Sequence, residues 1–105
     1  MPSKGIRASR DGATPFAFEE LTVSGAVIPL AQLPGLGEGV LVGGWIEVES
    51  QPIRIRVDSG APTSSVGHLY NPGQSDYLNA QELRALRAIR TTASDGLLRV
   101  TYYRD

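Results

Sequence analysis

The clearest local signal in the chain is Trp45-Ile-Glu-Val-Glu-Ser-Gln-Pro-Ile-Arg-Ile-Arg-Val-Asp58. Apolar and charged residues alternate on both sides of Gln51-Pro52, which is the period of a strand with one buried face. One antiparallel register satisfies both faces, with the pairs Ile46 and Val57, Val48 and Ile55, Glu47 and Arg56, and Glu49 and Arg54. The stretch therefore predicts an antiparallel hairpin that turns near Gln51-Pro52.

A second hairpin is predicted near the C-terminus. Asp95-Gly96 is a favoured two-residue turn. It sets apolar and β-branched residues opposite one another in the pairs Ile89 and Tyr102, Thr91 and Val100, and Ala93 and Leu98. Ahead of this segment, Asn79 followed by Glu82 has the spacing of a helix N-cap with an acidic residue three positions on, which predicts about two helical turns.

These signals together predict an all-β fold. We expect a small β-sandwich or jelly-roll-like barrel of roughly six to eight short strands, with at most one short helix near residues 80–87. Residues 1–15 contain only Ile6 as a large apolar residue beyond Met1, and they show no periodicity. They are therefore predicted to form an extended N-terminal arm. The remainder, residues 16–105, is predicted to form a single β domain.

Composition restricts the function. The chain has 105 residues, a formal net charge of -1, no cysteine and His68 as its one histidine. These values disfavour a strongly basic nucleic-acid-binding domain, a thiolate zinc site and a cysteine nucleophile. No apolar run approaches the length of a membrane span, and the N-terminus lacks the apolar core of a secretory signal. We expect a protein located in the cytosol or in something assembled there, with no cofactor and no metal.

Two catalytic interpretations compete with simpler ones. Asp58-Ser-Gly-Ala61 after an apolar strand resembles the active-site loop of retroviral-type aspartic proteases, but Asp, Ser, Gly and Pro are also turn formers. A Ser–His–Asp arrangement can be composed from Ser64 or Ser65, His68, and Asp58 or Asp76. No nucleophile-elbow pattern supports this arrangement. The simpler prediction is a polar turn followed by a solvent-facing histidine, with no catalytic residue.

Three further patterns have weak functional meaning. Gly35, Gly37 and Gly39 lack the third glycine of a dinucleotide fingerprint. An aromatic set could form a base-stacking or carbohydrate-stacking surface, or two of its members could belong to the core; the set is Trp45, Tyr77, Tyr102 and Tyr103. An arginine set would form a basic stripe if the helix continued through it, and otherwise lies at a solvated edge; the set is Arg84, Arg87 and Arg90.

Four stretches form a recognisable pattern; they are Pro52 to Leu69, Asn71-Pro-Gly73, Leu86 to Thr92, and Leu98 to Arg104. This pattern resembles small virion proteins encoded among the head and neck genes of tailed bacteriophages. In that group an apolar-Arg-apolar-Arg strand leads to an Asp-Gly-like turn, then an Ala-Pro-Thr, a Gly-His or Gly-Met, a polar loop, and an Ile-Arg strand paired with a terminal Val-Thr-Tyr strand. Asp58-Ser-Gly60 departs from the commoner Asp-Gly order. The resemblance covers about half of the chain.

The resemblance implies a non-enzymatic structural role in the virion. The expected function is a capsid decoration (cement) protein that stabilises the assembled head, with a neck, tail or head-fibre-base component as the alternative. A retropepsin-like protease and a carbohydrate-binding β-sandwich are further alternatives. The implied partners are the major capsid protein and the chain itself as a homotrimer, with no nucleic acid, membrane or small-molecule substrate. The implied location is the capsid surface, with assembly in the host cytoplasm.

The predicted arm carries three basic residues, Lys4, Arg7 and Arg10. We expect these residues to bind a partner, because their side chains would meet an acidic shell surface while the backbone adds to a sheet edge. In the isolated protein the arm buries too little apolar surface to offset the entropy of ordering its backbone. It is therefore expected to be cleaved early by trypsin at these three residues.

Overall fold

A computed structural model describes residues 13–33 and 41–105. Seven strands and one short helix follow one another in these ranges. In chain order they are β1 (Thr14–Val23), β2 (Leu41–Glu49), β3 (Ile53–Arg56), β4 (His68–Tyr70), β5 (Ser75–Asn79), α1 (Ala80–Ala85), β6 (Arg87–Arg90) and β7 (Gly96–Arg104). No helix in the described ranges is long and apolar enough to cross a bilayer.

The strands form two antiparallel sheets. The four-stranded sheet has the order β1-β7-β2-β5, and the three-stranded sheet has the order β4-β3-β6. Both sheets contribute to one hydrophobic core; its fully buried side chains include Ile46, Val48, Ile53, Ile55, Leu98, Val100 and Tyr102. The predicted small all-β fold with one short helix is confirmed.

The first predicted hairpin is wrong. β2 pairs with β5 and β7, whereas β3 pairs with β4 and β6, so the chain crosses from one sheet to the other at residues 50–52. Ser50 adopts a left-handed φ of 76°, and Pro52 has no N–H to donate to a ladder. The alternation correctly identified the buried side chains, but Glu47 and Glu49 do not face Arg54 and Arg56 across a strand pair.

The second predicted hairpin is wrong for the same reason. β6 belongs to the three-stranded sheet and β7 to the four-stranded sheet, and Gly96 begins β7 instead of occupying a two-residue turn. The two crossings contact each other. The backbone N–H of Thr91 donates to the Pro52 carbonyl at 3.3 Å, and Thr92 Oγ1 donates to Gln51 Oε1 at 3.1 Å. These bonds tie the crossings together.

The predicted helix start is confirmed. Asn79 accepts a hydrogen bond from the backbone N–H of Glu82 at 2.8 Å, and Glu82 Oε1 accepts one from the Asn79 N–H at 2.9 Å. The helix ends at Ala85, so the arginine stripe does not form. Arg84 lies on the helix, while Arg87 and Arg90 lie at the two ends of β6.

A buried carboxylate holds the segment that follows β1. Glu19 is 4% exposed and accepts hydrogen bonds from the N–H groups of Ala31 and Gln32 at 3.2 and 3.1 Å. The Tyr102 hydroxyl also donates to it. Burial, followed by this hydrogen bond, raises the pKa of Tyr102. Three donors therefore satisfy a charge that would otherwise be costly inside the sandwich.

The predicted arm lies mostly outside the described residues. Lys4, Arg7, Arg10 and the rest of residues 1–12 fall in that part of the chain. The strand β1 begins earlier than predicted, because Thr14 and Pro15 pair with Arg104 and Tyr103 of β7. The described β domain therefore includes two residues that the sequence assigned to the arm.

Candidate functional site: the outer face of the three-stranded sheet

The three-stranded sheet presents arginine side chains on its outer face. Ile53 and Ile55 of β3 point into the core, so Arg54 and Arg56 point outward, and Arg87 lies opposite Arg56 on β6. Three apolar side chains share this side. The arginine face is defined here as Arg54, Arg56 and Arg87 together with Val66, Leu69 and Ile89.

Two of the arginines donate to backbone carbonyls, and Arg54 thereby holds the loop before β4. Arg54 donates from Nη1 to the Gly67 carbonyl at 3.0 Å and from Nε to the Ser64 carbonyl at 3.4 Å. Arg87 donates from Nη1 to the Leu86 carbonyl at 2.9 Å. Each guanidinium keeps further N–H groups beyond these bonds, because arginine carries five donors.

The third arginine is held by the Asp58 turn. Arg56 Nε and Nη2 donate to the two oxygens of Asp58 at 2.9 and 2.6 Å, and the Gly60 N–H donates to Asp58 at 3.1 Å. Ser59 has a left-handed φ of 69°. A Cβ added at Gly60 would lie 2.4 Å from Arg56 Cζ, so the guanidinium packs directly on the glycine backbone.

These contacts set the charge of the turn. The hydrogen bond from Arg56, followed by the one from the Gly60 backbone, lowers the pKa of Asp58 to about 2. The hydrogen bond and the charge of Asp58 raise the pKa of Arg56. The Asp58-Ser-Gly-Ala61 motif thus forms a closed polar turn whose carboxylate is ionised and paired with a cation.

Two depressions border the arginine face. One, of about 370 Å³, is lined by Arg56, Val57, Asp58, Val66, Gly67 and His68. The other, of about 620 Å³, lies between the segment at Gly25 and Val27 and the loop at Pro62 to Ser64, beside Ile89 of β6. Both are open surface features in which a protruding side chain from a partner can be accommodated.

The residues of the Ser–His–Asp arrangement do not form a hydrogen-bonded triad. His68 is exposed at the start of β4, and within the described ranges no hydrogen bond links it to Ser64, Ser65, Asp58 or Asp76. Asp76 instead accepts from the Tyr70 hydroxyl at 3.0 Å. Burial of Tyr70, followed by the charge of Asp76, raises the pKa of that hydroxyl to about 12.

The aromatic set divides between the core and the outer face of the four-stranded sheet. Tyr102 is buried in the core, whereas Tyr103 is buried on the outer side, because it follows Tyr102 along β7. One member of the set belongs to the core, and not two as the packing interpretation predicted. Trp45 and Tyr77 are half-buried neighbours on the outer side. The Tyr77 and Tyr103 rings lie 6.1 Å apart at 59°.

The remaining sequence candidates are the glycine stretch, the basic residues of the arm and a metal site. Gly35, Gly37 and Gly39 lie outside the described residues, as do Lys4, Arg7 and Arg10. Within residues 13–33 and 41–105, no group of three or more His, Cys, Asp or Glu side chains is arranged to hold a metal ion.

Sequence reasoning missed the arginine face as a unit. The alternation in Ile53-Arg54-Ile55-Arg56 correctly pointed these arginines outward, but the predicted hairpin paired them with glutamates. Nothing in the sequence near either residue indicated that Arg87 would lie opposite Arg56.

Comparison with known proteins finds no family model, no curated protein and no solved structure that matches this chain.

Proposed function

We propose that the protein is a non-enzymatic structural component of a tailed-phage virion, and that it decorates and stabilises the assembled head. It binds the major capsid protein and assembles as a homotrimer on the capsid surface. The arm residues Lys4, Arg7 and Arg10 add contacts to the shell. This function follows from the resemblance described above, and the fold is compatible with it.

One observation carries the proposal. The stretches that resemble the virion proteins cover β3 and β6 and most of β4 and β7, and the polar residues in them make structural bonds. Arg54 bonds the Ser64 and Gly67 carbonyls, and Arg56 bonds Asp58. A motif whose polar residues fix loops on a small sandwich is what a scaffold for protein contacts requires, and it provides no activated nucleophile.

Decoration is also favoured by simple thermodynamics. A protein that binds only the assembled shell stabilises that state by mass action. Weak contacts repeated over a lattice combine through avidity, so each subunit needs only a modest interface.

Particles assembled without this protein provide the main test. They are expected to package DNA but to lose resistance to heat or chelators, and adding the purified protein is expected to restore that resistance. Hundreds of copies per particle would agree with decoration. Absence of the protein from mature particles would contradict the proposal.

The alternative is a neck, tail or head-fibre-base component. Such a component needs the same kind of sandwich and ring-forming interfaces. Copy number separates the two, because about six to twelve copies per particle would indicate a ring.

Deleting residues 2–14 tests the arm and is expected to weaken attachment to the particle and to reduce the salt sensitivity of the remaining binding. Equal occupancy by truncated and full-length protein would show that the arm is a solvated tail.

A further inference from the structure

We propose that the arginine face is the surface by which this protein docks on its partner. The partner is a protein surface that presents carboxylates beside an apolar side chain. The inference rests on the proposed function, because it takes that surface to belong to the assembled shell. It goes beyond that function by naming which side of the sandwich faces the shell and what chemistry the shell must present.

The first support is an excess of positive charge on this face. Arg54, Arg56 and Arg87 share it, and Asp58 is the one carboxylate bonded to any of them among the described residues. Arg56 and Arg87 lie directly opposite each other in the β3–β6 register. Like charges at such positions repel, and a partner carboxylate placed between them would replace repulsion with attraction.

The second support is the set of donors that the fold leaves open. The fold uses Arg54 through Nε and Nη1, Arg56 through Nε and Nη2, and Arg87 through Nη1. Arg54 Nη2, Arg56 Nη1 and Arg87 Nη2 therefore bond to no atom of the described residues. Because the guanidinium groups of Arg54 and Arg56 are already fixed by loop contacts, a partner carboxylate meets preoriented donors.

The third support is the apolar surface around the charges. Four large apolar residues are exposed in the described ranges; they are Phe18, Val27, Val66 and Leu69. Val66 and Leu69, 51% and 43% exposed, lie on the arginine face, and Val27, 37% exposed, borders its groove of about 620 Å³. Interfaces commonly combine such apolar contacts with arginine, so the patch fits a protein partner.

The opposite side of the molecule determines the orientation. The outer face of the four-stranded sheet carries Glu20, Glu47 and Glu49 around a single Arg99. An acidic partner would repel that face and attract the arginine face, so the approach is directed electrostatically.

The test uses full-length protein and purified particles that lack it. Arg87→Glu reverses one charge on the arginine face at a residue that is not itself bonded to Asp58, and Arg104→Glu is its matched control on the exposed end of β7. Cosedimentation is expected to show at least about a tenfold loss of affinity for Arg87→Glu and less than about a twofold change for Arg104→Glu. Binding of the wild type should weaken as salt rises.

A second pair of variants tests the apolar part of the surface. Val66→Ser is expected to weaken particle binding, whereas Phe18→Ser, on the far sheet, is expected to leave it unchanged. Circular dichroism and urea unfolding establish that each variant is folded before binding is compared. If a charge-reversed variant fails to fold, Arg87→Gln and Arg104→Gln replace that pair.

The outcomes separate the inference from the proposed function. Wild-type binding that neither Arg87→Glu nor Val66→Ser weakens would overturn the arginine face and leave decoration standing. Failure of the wild type to bind particles would overturn decoration and the docking surface with it. Arg87-dependent binding to duplex DNA without binding to particles would identify a nucleic-acid surface and overturn the protein partner.

Discussion

The outer faces of the two sheets use arginine in different ways. On the four-stranded sheet, Arg99 Nε lies 2.7 Å from Glu20 Oε2, and Arg99 Nη1 forms a second ion pair with Glu49. The charge of Arg99 is therefore balanced by carboxylates on the two neighbouring strands. On the three-stranded sheet, Arg54 and Arg56 bond the loops beyond the strands and keep open donors. A cation paired across strands stabilises the sheet itself. A cation held at the sheet surface by loop contacts remains able to bind something else.

The same contrast exists between inner and outer positions of a single strand. Glu19 and Glu20 are adjacent on β1, yet Glu19 is 4% exposed and has three donors while the Glu20 side chain is 50% exposed. Alternation along the strand places one carboxylate in the core and the next in solvent. The loss in the free energy of unfolding on removing the carboxylate should therefore be much larger at Glu19 than at Glu20.

Replacing Glu19 should have the largest effect on stability. Glu19→Ala leaves the N–H groups of Ala31 and Gln32 and the Tyr102 hydroxyl without their acceptor, and it is expected to lower the free energy of unfolding by about 2–4 kcal/mol. Glu20→Ala, with the same change of charge, should cost less than about 1 kcal/mol. Urea unfolding of both variants measures the difference. Equal losses would show that the buried carboxylate is not important for stability.

The contact between the two crossings should have the next largest effect. A Cβ at Gly96 would lie 2.5 Å from Ile53 Cγ2 and 3.0 Å from the Gln51 carbonyl. Gly96→Ala therefore has to move one crossing away from the other, at an expected cost of about 1–3 kcal/mol. Gly25→Ala is the control, since its Cβ would meet only the flexible Arg90 side chain at 3.3 Å. If thermal unfolding finds equal stability for both variants, the crossings do not pack as described.

Neutralising one arginine on each outer face should change stability in opposite directions. Arg99→Gln leaves Glu20 and Glu49 without their cation and is expected to destabilise the protein. Arg87→Gln removes the repulsion with Arg56 and is expected to leave stability unchanged or to raise it. Urea unfolding at low and high salt tests this, because screening should shrink both effects. A loss of stability in both variants would mean that the two faces do not differ.

The smallest predicted effect is a pH dependence at the Asp58 turn. The pKa of Asp58 is lowered to about 2, first by the hydrogen bond from Arg56. A lowered pKa means that the contribution of the turn to stability is complete above the ordinary carboxyl value of about 4 and is lost as the pH falls to about 2. NMR titration of the Asp58 carboxyl should show this midpoint, and Arg56→Gln should raise it. A wild-type midpoint near the ordinary value would rule out the pairing with Arg56.

Local sequence signals predicted the elements that depend on neighbouring residues. The Asn79 and Glu82 capping box needs only two side chains three residues apart, and it forms as expected. The Asp58 turn likewise depends on bonds to Arg56 and Gly60 within two residues. The buried position of Glu19 was not predicted, because the apolar Phe18 beside it favours the opposite face, yet Phe18 is 52% exposed. The three donors to Glu19 were not readable either, since two come from a later segment and one from β7.

Alternation and capping are properties of consecutive residues, so the sequence was enough to predict the all-β class, the inward side chains of β2 and β3, and the start of the helix. The pairing of the strands, by contrast, depends on contacts between distant parts of the chain. At residues 50–52 and 91–95 the chain can turn back within one sheet or cross to the other, and the same apolar side chains are buried either way. Bonds between the crossings, from Thr91 to Pro52 and from Thr92 to Gln51, connect residues about 40 positions apart. They form only when both crossings exist, so no single stretch of sequence contains the information that selects them.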